Sequence, residues 1–275
     1  MHDLTIAPFA LGFMRRALIG CLALSVAAPP LGVFLVLRRM SLMSDVMQHG
    51  VLPGIALGAA FAGLSVWAMG LGGVAAGLAV ALLAGWLARG KGAREDSQLT
   101  GVYLIALALG VALISAQRGV DLTHVLFGSV LAVDDPALFA MAGVATIVLP
   151  ALAAIWRPLI MESLDPGFVA ATGGKGGLWH LTFLALVVLC VVAGFVALGT
   201  LMSVGLMMLP AIASRHWSVS LQGQVRASVV LAIIASVAGL LLSFHTDIPA
   251  GPAIVLTAGT LWMIGLARDT FWRPS

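Results

Sequence analysis

Apolar residues in this chain fall in long unbroken runs, not at alternate positions or on one helical face, and short polar stretches separate the runs. A helix needs about 20 apolar residues to cross a hydrocarbon core of about 30 Å, so each run predicts a membrane span. The candidates are Ala17–Leu37, Ser41–Gly63, Leu64–Ala88, Leu99–Ala116, Ala137–Trp156, Leu178–Ala197, Gly199–Ser214, Val225–Phe244 and Ala253–Ala267. Gly50–Ala88 holds no ionisable residue, and as one helix it would measure about 58 Å at 1.5 Å per residue. It must therefore be split. The same argument divides Leu178–Ser214 near Leu198-Gly199-Thr200. The expected fold is an all-α, polytopic transmembrane bundle of eight or nine spans, forming a single domain over residues 1–275. Small residues at close helical spacing, such as Gly73/Gly77 and Ala75/Ala79, predict tight helix packing in lipid.

Composition sharpens the picture. The chain is 61% hydrophobic and 9% charged over 275 residues, with mean hydropathy +1.11, whereas soluble domains carry about 25% charged residues. A water-soluble enzyme, a nucleic-acid-binding module and a disordered tail are excluded. The net charge of +3 then reads as loop charge that orients helices. With Arg38-Arg39 inside, 11 of the 14 Lys and Arg residues fall on cytoplasmic loops or tails, and only Arg15, Arg16 and Arg118 fall outside. That places the C-terminus in the cytoplasm and the N-terminus outside. Cys21 and Cys190 sit within apolar stretches and are expected as buried small hydrophobes. Tryptophans 156, 179, 217, 262 and 272 lie near span ends, as interfacial anchors would.

No P-loop is present: Gly173-Gly174-Lys175-Gly176-Gly177 lacks the Ser or Thr after its lysine and no strand precedes it. H-E-x-x-H is absent too. Of 11 Asp and Glu residues, only Asp45 falls inside a predicted span, where an ionised side chain costs roughly 2.5–3.5 kcal/mol. His49 follows four residues later, on the same helical face. A carboxylate and an imidazole one turn apart make a partial coordination site for a divalent metal, with positions left open for an ion to leave. The other reading makes Asp45 a helix cap paired with Arg38 or Arg39. Pro53-Gly54 marks a kink. Farther on, Asp165 has the character of an N-cap, Pro166 of a first helical residue and Gly173 of a C-terminal stop, which together predict a short cytoplasmic helix over 163–173.

The stretch Arg38-Arg39-Met40-Ser41-Leu42-Met43, followed by Asp45, His49 and Val51-Leu52-Pro53-Gly54, resembles the signature of permeases of the zinc/manganese/iron-type ABC importers. Leu126–Leu131, Asp165–Gly173, Gly199–Ala211 and Asp247–Pro252 resemble further family segments in the same order. Ser44, Gln48, Gly167 and Ala250 depart from that pattern. The resemblance implies a homodimer with the pathway at the subunit interface, cytoplasmic ATPase subunits and an extracytoplasmic metal-binding protein, in a bacterial inner membrane. It further implies a transport role with no chemistry of its own. Asp45 and His49 become a transient metal station, and Asp165, Pro166, Phe168 and Gly173 the ATPase-coupling segment. His245 and Asp247 become weaker ligands in an outer loop. No tightly bound cofactor and no nucleic acid are expected; the cargo is Zn2+ by a slight lean, or Mn2+ or Fe2+. A permease for an iron chelate and an ATP-independent secondary ion transporter are the rival readings.

Overall fold

The computed structural model describes residues 10–41, 43–63, 65–87, 95–116, 133–171 and 176–272. Regular structure among them is helical throughout: α1 Gly12–Leu37, α2 Met43–Gly50, α3 Leu52–Ala62, α4 Val66–Leu87, α5 Glu95–Ser115, α6 Asp135–Leu164, α7 Pro166–Ala171, α8 Gly176–Leu198, α9 Thr200–Trp217, α10 Leu221–Thr246 and α11 Ala250–Trp272. Six of these, α1, α4, α6, α8, α10 and α11, are long and apolar enough to cross a membrane, and α5 contains a shorter apolar stretch. The protein is a multi-pass membrane protein.

Burial separates inner helices from outer ones. In α1 and α8, 72% of the most apolar stretch is buried, against 22% in α4 and 28% in α6. α1 packs on α6, α8, α9 and α10; α2 to α5 form a second group, joined to the first mainly through α8. Phe34 of α1 marks the contact of α1, α6 and α8, with Trp156 edge-on at 5.1 Å and Phe183 at 6.2 Å. Trp156, expected as an interfacial anchor, is partly buried and packs against the core. Buried serines tie the inner helices together: Ser25 Oγ lies 2.9 Å from Ser236 Oγ, and Ser203 Oγ donates to the Val191 carbonyl at 3.1 Å. Within lipid, such bonds and close packing hold helices together in place of the hydrophobic effect.

Glycine permits the closest approach. A Cβ on Gly54 of α3 would sit 1.9 Å from the Gly72 carbonyl oxygen of α4, and one on Gly72 would sit 2.2 Å from that of Gly54. The predicted packing at Gly73 and Gly77 is also present, against Ile55 and Val192 and against Val51 and Val188. The helix breaks fall where length demands them. Gly63 and Gly199 carry φ of 66° and 92°, a region that residues with a Cβ rarely adopt.

Two expectations fail locally. The span Ser41–Gly63 is two helices, α2 and α3, parted at Val51, because Pro53 has no N–H to offer the His49 carbonyl. α6 runs past Trp156 to Leu164, so Glu162, expected in a loop, lies on a helix. Three cross-helix contacts sort the helix ends into two sets: Arg16 with Asp135 at 3.0 Å, Arg38 with Glu162, and His216 with Asp269 at 2.6 Å. Each joins residues that the charge count assigns to one side.

Candidate metal-ion site

The left-handed Arg39, φ 60°, turns the chain out of α1 towards α2. Asp45 occupies the first turn of α2 and His49 its last, where the helix dipole favours an anion and a cation respectively. His49 Nε2 stands 3.6 Å from Asp45 Oδ1, with the side chains 28% and 53% exposed. That separation is too long for a hydrogen bond, but it suits two ligands on one ion at roughly 2.0–2.2 Å from each. Tyr103 of α5 backs the imidazole, ring centroids 6.4 Å apart at 26°. Among the described residues, Asp45 forms no ion pair with Arg38 or Arg39.

Arg38 is engaged elsewhere. Its guanidinium pairs with Glu162, donates to Ser163 Oγ at 2.9 Å, contacts His180 Nδ1 at 2.8 Å and lies 4.8 Å from the Phe183 ring centre. The Arg38 and Glu162 side chains are only 7% and 12% exposed. This cluster joins the ends of α1, α6 and α8 directly beside α7. Sequence reading missed it, because residues 124 apart in the chain leave no local periodicity when they meet.

The predicted short helix is α7. Asp165 Oδ1 accepts from the Phe168 N–H at 2.9 Å, and the Phe168 side chain is exposed. Gly173 lies outside the described residues, as do Leu126–Leu131. His245 and Asp247 end α10, where Asp247 adopts φ 56° as its C-cap and the His245 ring meets Phe244 edge-on at 5.4 Å. Both are exposed. Among the described residues no group of three or more His, Cys, Asp or Glu comes together around a metal-sized site, so these two do not join Asp45 and His49. Cys21 and Cys190 are buried free thiols.

Behind the Asp45–His49 pair, Ser44 and Gln48 are buried. Ser44 Oγ, Gln48 Oε1 and His49 Nδ1 have no hydrogen-bond partner, and each such atom costs about 1–3 kcal/mol. A separate cavity of about 240 Å³ between α4, α6 and α8 is lined by Val66, Trp67, Leu71, Phe139, Ile147 and Val192 among others. Its apolar walls offer nothing to a cation.

The family model described as the ABC 3 transport family matches residues 10–269. The chain belongs to this family. It is a transport subunit and not an enzyme, and ATP hydrolysis in such a transporter is the task of a separate chain. The chain is 32% identical to the manganese import system permease protein ScaB of Streptococcus parasanguinis over 253 residues, which is 92% of this chain and 89% of that protein. It is 31% identical to the manganese transport system membrane protein MntC of Halalkalibacterium halodurans, covering 92% and 86%. The solved structure of PsaBC from Streptococcus pneumoniae in complex with a Fab matches with TM-score 0.85 at 30% identity, over 97% of this chain and 95% of that one.

Proposed function

We propose that this permease carries a divalent metal ion into the cell and that Asp45 and His49 are the station where the ion is briefly held. One observation carries the reading: a carboxylate and an imidazole lie 3.6 Å apart, partly open, on a short helix that ends before Pro53. Two protein ligands leave coordination positions free, so an ion can arrive and depart. The sequence alone leans to zinc, which no relative named above specifically supports; manganese stands in the names of ScaB and MntC, and Mn2+ is the cargo proposed here.

The remainder of the proposal concerns assembly. Nine crossings follow if α2–α3, α5 and α9 join the six long helices. Two copies place their Asp45 and His49 side chains on a shared path, which accounts for the half-exposed carboxylate in a single chain. ATPase subunits seat α7 through Phe168 on the cytoplasmic side, and an extracytoplasmic metal-binding protein docks near Asp247. The C-terminus is cytoplasmic and the N-terminus outside, in a bacterial inner membrane.

The test is radiolabelled manganese uptake by the importer reconstituted in vesicles. Asp45→Asn and His49→Ala should each lower uptake at least about tenfold, since even a residue that merely supports a metal ligand is worth 10–100-fold. Assembly and basal ATP hydrolysis should persist. Normal uptake by both variants overturns the station.

A further inference from the structure

Ser44, Gln48 and His49 carry every buried side-chain nitrogen or oxygen atom that lacks a hydrogen-bond partner among the described residues. Buried polar side chains elsewhere in the bundle are satisfied: Ser25, Ser203, Ser214, Ser228 and Ser243 each bond a backbone carbonyl. Concentrating the exceptions within six residues of one two-turn helix, beside the proposed station, calls for a cause, because buried polar groups in folded proteins are almost always paired. Packing does not supply one. An apolar residue of similar size would fill the Gln48 position without the penalty of an unpaired amide oxygen.

We propose that Gln48, supported by Ser44, is a specificity-determining residue of the ion path and completes the coordination begun by Asp45 and His49. This inference rests on the metal-station reading above. Gln48 lies three residues after Asp45, about 60° around the helix axis from it. α2 is a separate helix, set off by the turn at Arg39 and the break before Pro53. A rotation of α2 by part of that angle therefore brings Gln48 towards the bearing of Asp45 while Asp45 and His49 stay on it, since positions i, i+3 and i+4 share one helical face.

Ligand counting gives the chemical consequence. Asp45 and His49 from two copies supply four ligands, enough for the tetrahedral coordination that suits zinc. Two carboxamide oxygens raise the number to six and shift the set towards oxygen, which suits an octahedral ion such as Mn2+. Ser44 Oγ, one turn before Gln48 and likewise without a hydrogen-bond partner, is spaced to steady the amide once it turns to the ion.

The experiment titrates Mn2+ into the purified permease–ATPase complex, follows the free-ion electron paramagnetic resonance signal, and then displaces the bound ion with Zn2+. Gln48→Leu should leave thermal stability equal or higher, weaken Mn2+ binding about tenfold, and lower by a similar factor the Zn2+ needed for displacement. Gln48→Glu, which restores an oxygen, should recover Mn2+ binding. An unchanged preference for Mn2+ over Zn2+ in Gln48→Leu overturns the inference. If Asp45→Asn abolishes binding in that same case, the station survives and only the role of Gln48 falls. If Asp45→Asn also binds Mn2+ normally, both fall.

Discussion

Replacing Arg38 with methionine tests how far the cluster beside α7 holds the bundle together. The guanidinium is largely buried, as is its partner Glu162, so the substitution removes a charge from a site that water hardly reaches. Among the described residues, Glu162 would retain only His180, whose Nδ1 is 3.7 Å away. Breaking a buried pair by deleting one member costs about 3–5 kcal/mol. Glu162→Gln should be milder, at about 1–3 kcal/mol, because the amide still accepts a hydrogen bond and Arg38 keeps Ser163, His180 and the Phe183 ring. The double variant Arg38→Met with Glu162→Gln should fall short of the sum of the single effects by about 0.5–3 kcal/mol, as residues in one network do. Unfolding in a titration of denaturing detergent, followed by tryptophan fluorescence, measures all three. Strict additivity, or an Arg38→Met effect below about 0.5 kcal/mol, which is typical of surface substitutions, would refute the claim that this pair locks α1 to α6.

Two further outcomes are expected. Gly54→Ala should weaken the α3–α4 crossing and lower thermal stability by about 1–3 kcal/mol, the range for overpacking, since its methyl would meet the Gly72 carbonyl; Gly70→Ala, whose methyl would have nothing within 4 Å, should be neutral, and equal melting of the two variants contradicts the glycine contact. Phe168→Ala should leave the permease folded, because that ring is 57% exposed, yet cut metal uptake at least about tenfold, the scale on which an anchoring aromatic of about 1.4 kcal/mol acts. Uptake at the wild-type level removes Phe168 from the ATPase contact.

Local signals were legible in the sequence. Helix length required two breaks, which the structure places at Gly63 and Gly199, and the chemistry of Asp165 foretold its hydrogen bond to the Phe168 N–H. The four-residue spacing of Asp45 and His49 likewise survives as a 3.6 Å separation. What stayed hidden is the choice of partners between helices. Arg38 finds Glu162 across the bundle, and nothing near either residue announces it. The facing of Ser44 and Gln48 was equally obscure, because α2 carries polar side chains on both its buried and its open positions, Ser44 and Gln48 on the one and Asp45 and His49 on the other, so polarity does not mark its outer side. Pro53 signalled a kink, yet a kinked span and two separate helices leave the same trace in hydropathy.

The division of α2 from α3 bears on how such a protein diversifies. The eight residues of α2 combine open positions with buried ones, while α3 is fastened to α4 through Gly54 and Gly72. On the station proposed above, substitutions at the open Asp45 and His49 positions retune which ion is admitted, whereas the buried Met43 and Met47 keep α2 seated in the bundle, so cargo preference can drift while the architecture stays put.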